Sequence, residues 1–209
     1  MKKIIIFDMD GTLIDSKKDI TISINYVRKI NHNLEPLDES FVVEAINLHE
    51  RNLPYLFYGT KTYEKRDRVV FEKHYKKQCI EHSTLYDGVK EMLFDLNEMG
   101  VLLSVATNAS TVFSITMLEH LQVAQLFDMI VGADKVEKSK PDPQMLEMIL
   151  KYYDFDRTKD EAWMIGDNSK DMLSGELAGI KSVFVTWGFS DITEYKNTIS
   201  KPQDIKKLV

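Results

Sequence analysis

Lys3-Ile4-Ile5-Ile6-Phe7-Asp8-Met9-Asp10-Gly11-Thr12 is the stretch on which the reading of this chain turns. An apolar run bounded by a lysine and by Asp-x-Asp-Gly predicts a buried strand that ends at an acidic tip. At the carboxyl end of a parallel strand, such a pair can hold a hard cation through oxygen ligands, and one carboxylate can also attack an electrophile. Asp-Gly is also a hairpin signal, but the segment that follows has helical periodicity rather than the alternation of a second strand.

The 209 residues allow one large domain or a domain with a smaller insertion. With 44% hydrophobic and 29% charged residues, the composition is that of a soluble globular protein. No apolar run approaches a membrane span, and residues 4–7 are too short for the hydrophobic region of a signal peptide, so the protein is expected in the cytoplasm and off the membrane. The single cysteine, Cys79, cannot close an internal disulfide, which fits a reducing compartment. A net charge of −6 argues against a nucleic-acid binder working through a basic surface, while a small anionic substrate fits if positive charge is local.

Residues 16–83 read as wholly helical, with Ile20, Ile24, Val27 and Ile30 at helical spacing. From residue 87 the pattern alternates. A helix carrying Val89, Met92, Leu93 and Leu96 stops at Gly100 before an apolar strand at 101–106. A helix at 110–121, a strand at 129–131 and a helix opened by Pro141-Asp142-Pro143 come next. A strand at 162–165, a helix at 170–178 closed by Gly179 and a strand at 182–185 complete the series. Strands separated by helices predict an α/β fold, a doubly wound parallel sheet with helices on both faces.

One helix suffices for the crossover between the first two strands, so residues 16–83 are surplus to it. The expected organisation is a core domain of residues 1–15 and 84–209 with an inserted helical cap of residues 16–83. Ligands of open parallel sheets bind outside the carboxyl ends of the strands, where an insertion after the acidic turn would act as a lid. The insertion carries 12 Lys/Arg against 10 Asp/Glu, and the remainder 15 against 23.

Three later segments are predicted to reach the edge that holds Asp8 and Asp10. Thr107-Asn108 offers a hydroxyl and backbone N–H groups suited to an oxyanion, although Thr-Asn-Ala-Ser taken alone is a helix cap. In Lys138-Ser139-Lys140-Pro141-Asp142-Pro143, Pro141 restricts Lys140 to an extended backbone, which directs its side chain. In Gly166-Asp167-Asn168-Ser169-Lys170-Asp171, Asp167 emerges at a strand tip where it can complete an oxygen cage for Mg²⁺, and Asp171 lies one helical turn on. The alternative is that Asp167 caps the helix and Asp171 is a first-turn acid favoured by the helix dipole.

Phe7-Asp8-Met9-Asp10-Gly11-Thr12-Leu13, the Thr107 strand end, Lys140-Pro141 and Gly166-Asp167-x-x-x-Asp171 resemble the four motifs of the haloacid dehalogenase superfamily, in their usual order. Leu85-Tyr86-Asp87-Gly88-Val89, Lys140-Pro141-Asp142-Pro143 and Val185-Thr186-Trp187-Gly188-Phe189 are similar to phosphoglycolate phosphatase-like members with a helical cap after the first motif. The resemblance implies a Mg²⁺-dependent phosphatase acting on a small phosphorylated metabolite through an aspartyl-phosphate. It makes Asp8 the nucleophile and Asp10 the general acid and base. It assigns Mg²⁺ to Asp8, the backbone carbonyl of Asp10 and Asp167, with Asp171 in support. Thr107, Asn108 and Lys140 would bind the phosphoryl group, with Lys140 offsetting the charge of Asp8 and the phosphate.

Dehalogenases of this superfamily lack the acid two residues after the nucleophile, so Asp10 points to phosphoryl transfer. A β-phosphoglucomutase-type phosphosugar mutase keeps both aspartates and is the second enzymatic reading. A catalytically idle binding module is the non-enzymatic one. In the cap, His49, Arg51 and Asn52 are candidates for the non-phosphate end of a substrate, with a solvated helix face as the alternative. Trp187 either lines the entrance or belongs to the core. A monomer would suffice for this arrangement.

Overall fold

The computed structural model describes residues 1–48, 52–190 and 195–209. The chain forms two compact units, Met1–Asp15 with Leu85–Val209 and Ser16–Thr84. In the first, β1 (Lys3–Phe7) is fully buried from Ile4 to Phe7, as a strand covered on both faces must be. The short strands β2 (Ile14–Asp15) and β3 (Thr84–Leu85) pair separately from the main sheet.

The main sheet adds β4 (Leu102–Thr107), β5 (Met129–Gly132), β6 (Glu161–Gly166), β7 (Lys181–Val185) and β8 (Thr198–Ile199). Its order is β5-β4-β1-β6-β7-β8, and every pairing is parallel. After β1 the chain builds outward through β4 and β5, then returns to β6 on the other side of β1. The sheet is thus doubly wound, with its switch point at β1, the place where ligand sites form in such sheets. Neighbouring tips then follow from register: Phe7 pairs with Val105 on one side and Ile165 on the other, so Asp8, Thr107 and Asp167 emerge from three adjacent strands.

The intervening helices are α5 (Val89–Glu98), α6 (Thr111–His120), α7 (Gln144–Tyr152) and α8 (Ser169–Leu177). Met145, Leu146, Ile149 and Leu150 of α7 meet Ile4, Ile6, Ala106, Val131 and Met164 in one apolar cluster. The spacing of those four α7 residues places them on one helical face, and their burial supplies the hydrophobic driving force that seats the helix on the sheet. Gly100 and Gly179, at φ +75° and +67°, terminate helices as their sequence positions predict.

The second unit is helical but not continuously so. It contains α1 (Lys17–Val27), a π-helical turn at Arg28–His32, α2 (Glu39–Asn47), α3 (Leu53–Tyr58) and α4 (Lys65–Gln78). The expectation of wholly helical sequence fails between the helices, where the chain leaves helical backbone on either side of α2 and after α3. Asn33 and Gly59 adopt left-handed backbone at the helix ends, and Pro36 follows the first of them. Ile24, Val27, Val42, Ala45, Phe57 and Tyr58 form the unit's own core. In the first unit, the expected strand and helix boundaries shift by a residue or two, and β8 together with the 3₁₀ turn Pro202–Leu208 was not anticipated.

Candidate active site

The acidic tip arises from strand geometry continued past β1. The Asp8 N–H extends the ladder to the Ile165 carbonyl at 2.8 Å, and Met9 is wholly buried. Alternation therefore puts Asp8 and Asp10 on the side opposite Met9. The chain then folds tightly: the N–H groups of Leu13 and Ile14 donate to the Met9 carbonyl, and Gly11 takes φ +89°, open to glycine at little cost.

Three carboxylates and one ammonium meet beneath this turn. One ligand oxygen from each of Asp8, Asp167 and Asp171 lies within 4.8 Å of the others, and all three residues are buried. Lys140 Nζ donates to Asp8 Oδ1 and to Asp171 Oδ1, each at 2.6 Å, and is itself 3% exposed. Burial alone would lower the Lys140 pKa, but Asp171 and Asp8 outweigh it and hold the ammonium above the ordinary lysine value. Burial, opposed by Lys140 and reinforced by Asp8, pushes Asp171 up to about 6. Burial, Asp8 and Asp171 raise Asp167 well above the ordinary aspartate value, against the donors from Phe189 and Thr12.

This charge pattern tests whether a metal fits. Three carboxylates against the Lys140 ammonium leave a formal excess of two negative charges among these four groups, the amount one divalent cation neutralises. The donors are all oxygens, the set a hard cation such as Mg²⁺ takes.

Each predicted residue has a definite place. Asp167 follows β6 directly and is not the cap of α8. Asn168 fills that role, its side chain accepting from the Lys170 N–H while Asp171 Oδ2 accepts from the Asn168 N–H. Asp171 thus serves the helix with one oxygen and Lys140 with the other. Thr107 is buried at the end of β4, and its hydroxyl oxygen accepts from the Ala109 N–H at 3.1 Å. Asn108 is exposed and donates its side-chain amide to the Lys140 carbonyl at 2.9 Å, tying two of the expected phosphate-binding segments together. Asp10 is partly exposed, and its carboxylate is outside the clustered three.

The candidates from the helical unit stand differently. His49 and Arg51 lie outside the described residues. Asn52 caps α3, accepting from the Tyr55 N–H at 3.1 Å and donating to the Lys61 carbonyl at 3.2 Å, which gives that side chain a structural use.

Several contacts of the site were not legible in the sequence. Thr12 donates its hydroxyl to Asp167 Oδ1 at 3.1 Å, and the Phe189 N–H donates to Asp167 Oδ2 at 2.7 Å. The indole N–H of Trp187 donates to the Thr12 carbonyl at 3.0 Å, which places the half-buried ring beside the first motif. Tyr86 is held un-ionised by burial and by Asp15, Asp167 and Asp10. Thr12 stood within the quoted motif, but nothing in a linear sequence ties residues 187–189 to a carboxylate twenty positions earlier.

Residues 5–185 match the family model for haloacid dehalogenase-like hydrolases. Among curated proteins, a phosphoglycolate phosphatase of Colwellia psychrerythraea is 32% identical over 93% of this chain and 90% of its own length. An N-acetylmuramic acid 6-phosphate phosphatase of Pseudomonas aeruginosa is 30% identical over 90% of this chain and 83% of its own. Among solved structures, a predicted phosphoglycolate phosphatase from Haemophilus somnus superimposes with a TM-score of 0.82 at 24% identity, covering 99% of this chain and 97% of that one.

Proposed function

Because the chain belongs to the haloacid dehalogenase-like hydrolase family, we propose that it hydrolyses a phosphate monoester of a small metabolite through an aspartyl-phosphate on Asp8. The observation that carries this reading is the position of Asp8: at the switch point of the sheet, 2.6 Å from a buried ammonium that balances its charge.

In the first half-reaction, a carboxylate oxygen of Asp8 forms a bond to phosphorus as the bond from phosphorus to the ester oxygen breaks. The carboxyl group of Asp10 gives its proton to the departing alkoxide. In the second, Asp10 as carboxylate takes a proton from water, whose oxygen attacks phosphorus. The acyl phosphate bond breaks, inorganic phosphate leaves and Asp8 is restored. Lys140 keeps a positive charge against Asp8 and the phosphoryl oxygens throughout, and Thr107 donates its hydroxyl to one of them. Asp8, Asp167 and the main-chain carbonyl of Asp10 would hold Mg²⁺, which supplies the charge that lets a phosphate dianion approach these carboxylates. Asp171 fixes Lys140.

The helical unit is read as the cap that selects the rest of the substrate, and the enzyme as cytoplasmic. Among the described residues no helix is long and apolar enough to cross a membrane, and the one cysteine, Cys79, is buried and in no disulfide. A panel of phosphate esters tests the function. It starts from phosphoglycolate and N-acetylmuramic acid 6-phosphate, named for the relatives, and extends to pyrophosphate, nucleoside monophosphates and hexose phosphates. Phosphate release that requires Mg²⁺ and stops with chelator is the expected result. Zero release across the panel contradicts it, and isomerised hexose phosphate without release would select the mutase reading.

A further inference from the structure

We infer that Trp187, Gly188 and Phe189 form a latch that positions Asp167 for metal binding, so that this loop sets Mg²⁺ affinity from outside the ligand set. The inference rests on the reading of Asp167 as a metal ligand.

Four contacts close the latch. The Phe189 N–H holds Asp167 Oδ2 and the Thr12 hydroxyl holds Asp167 Oδ1, so the carboxylate is fixed from two sides and cannot rotate without losing a hydrogen bond. Thr12 is itself fixed, because the indole of Trp187 donates to its carbonyl. Between the two donors, Gly188 lies so close to the first motif that a Cβ there would overlap both the Gly11 carbonyl and the side chain of Asp167. The three loop residues thus reach the ligand by a main-chain donor, by close backbone approach and through Thr12.

The chemistry of the donors explains why the loop matters. A carboxylate that ligates a cation keeps its affinity only if its orientation is set in advance, and hydrogen bonds from groups beyond the ligands supply that orientation. Their loss typically costs about 10–100-fold in metal affinity. Thr12 and Phe189 both present donors to Asp167, and both bonds can be kept while the remaining lone pairs face a cation. The loop follows β7, which is paired to β6, the strand that delivers Asp167, so loop and ligand share one rigid frame. This makes 187–189 positioning residues that act through Thr12 and Asp167.

The test measures metal binding directly. Mg²⁺ is titrated by calorimetry into metal-free full-length protein, as wild type, Gly188→Ala and Trp187→Phe, with thermal midpoints recorded beside it. Trp187→Phe keeps an aromatic ring and deletes the indole donor, so it serves if Gly188→Ala fails to fold. The expected result is a Mg²⁺ dissociation constant raised about 10-fold or more in Gly188→Ala and by a smaller factor in Trp187→Phe. In Trp187→Phe the metal-free midpoint stays within a few degrees of wild type, and kcat at saturating Mg²⁺ returns to near the wild-type value. Wild-type affinity in both variants, with wild type binding Mg²⁺, overturns the latch alone. Absence of Mg²⁺ binding to the wild type overturns the metal-site reading on which it stands. An unrecovered kcat in Trp187→Phe at saturating metal, with unchanged affinity, would likewise overturn the positioning role.

Discussion

Asp19 in the helical unit and Asp167 and Asp171 in the sheet unit are buried to the same degree, at 0%, 1% and 2% exposure, yet their surroundings differ in kind. Asp19 is held by hydrogen bonds from the Gln78 side-chain amide at 2.8 Å and from the His82 N–H and the Ser83 hydroxyl at 2.9 Å each, with the His82 ring Nδ1 4.0 Å away. Asp167 and Asp171 share their space with Asp8, and Lys140 pairs with Asp8 and Asp171. The first arrangement satisfies a buried charge with hydrogen bonds and is purely cohesive. The second leaves negative charge uncompensated, which a folded protein tolerates where a ligand supplies the balance. Burial of an acid is therefore no sign of function here; what sets the proposed site apart is the crowding of like charges.

Asp8→Asn breaks the comparison most severely. It should lower turnover by on the order of 10³-fold or more and abolish phosphoenzyme, while the thermal midpoint holds or rises because one of three crowded charges is gone. Substantial phosphate release by that variant would remove Asp8 from the nucleophile role. Lys140→Met comes next. It strips the cation from two buried carboxylates, with an expected loss of about 3–5 kcal/mol in urea unfolding, and adding Asp171→Asn should recover part of that loss. A double variant no more stable than the single one would show that like-charge crowding is not what Lys140 relieves.

Asp19→Ala probes the other region. Leaving its three donors without an acceptor should cost about 1–3 kcal/mol, with kcat at saturating substrate unchanged. A kcat that collapses along with stability would erase the distinction drawn between the two sets of acids. The smallest effect concerns pH in the helical unit. His74 is hydrogen-bonded to Ser23 at 2.9 Å and stacked on Tyr26, and burial holds its pKa below the ordinary value of 6.5. The folded state therefore binds its proton less readily than the unfolded one. Its contribution is complete above the unfolded pKa and declines as the pH falls below it. Thermal midpoints followed from about pH 8 to pH 5 should show a shallower decline for His74→Gln than for wild type; identical slopes would clear His74 of any part in it.

Much of the sheet unit is legible in one dimension because its strands are short apolar runs punctuated by glycine and acids. The Ile4–Phe7 run and the run before Gly166 announce themselves, since strands covered on both faces read as near-continuous apolar runs. β8 does not: Thr198–Ile199 is two residues long, half polar, and defined only by its pairing with Phe184 and Val185. The helical unit is less legible for a related reason. Its helical spacing shows, but the breaks at Asn33 and Gly59 depend on local backbone choices, and Asn52 reads equally as a binding group or as the cap it provides for α3. At the site, residues carried by motifs were identifiable singly. The Thr12–Asp167–Phe189 contacts were not, because they join three segments 155 and 22 residues apart.

By itself the sequence determined the alternation of strands and helices, the acidic tip after β1, and the chemical identities of Asp8, Asp10, Lys140, Asp167 and Asp171, because these depend on local periodicity and on residue type. Only the tertiary structure decided that Lys140 sits between Asp8 and Asp171, that Asn168 rather than Asp167 caps α8, and that Trp187 and Phe189 close around Asp167. The physical reason is that hydrogen bonds and charge balance act over a few ångströms of space, and it is the parallel register of β4, β1 and β6 that brings distant residues within that range.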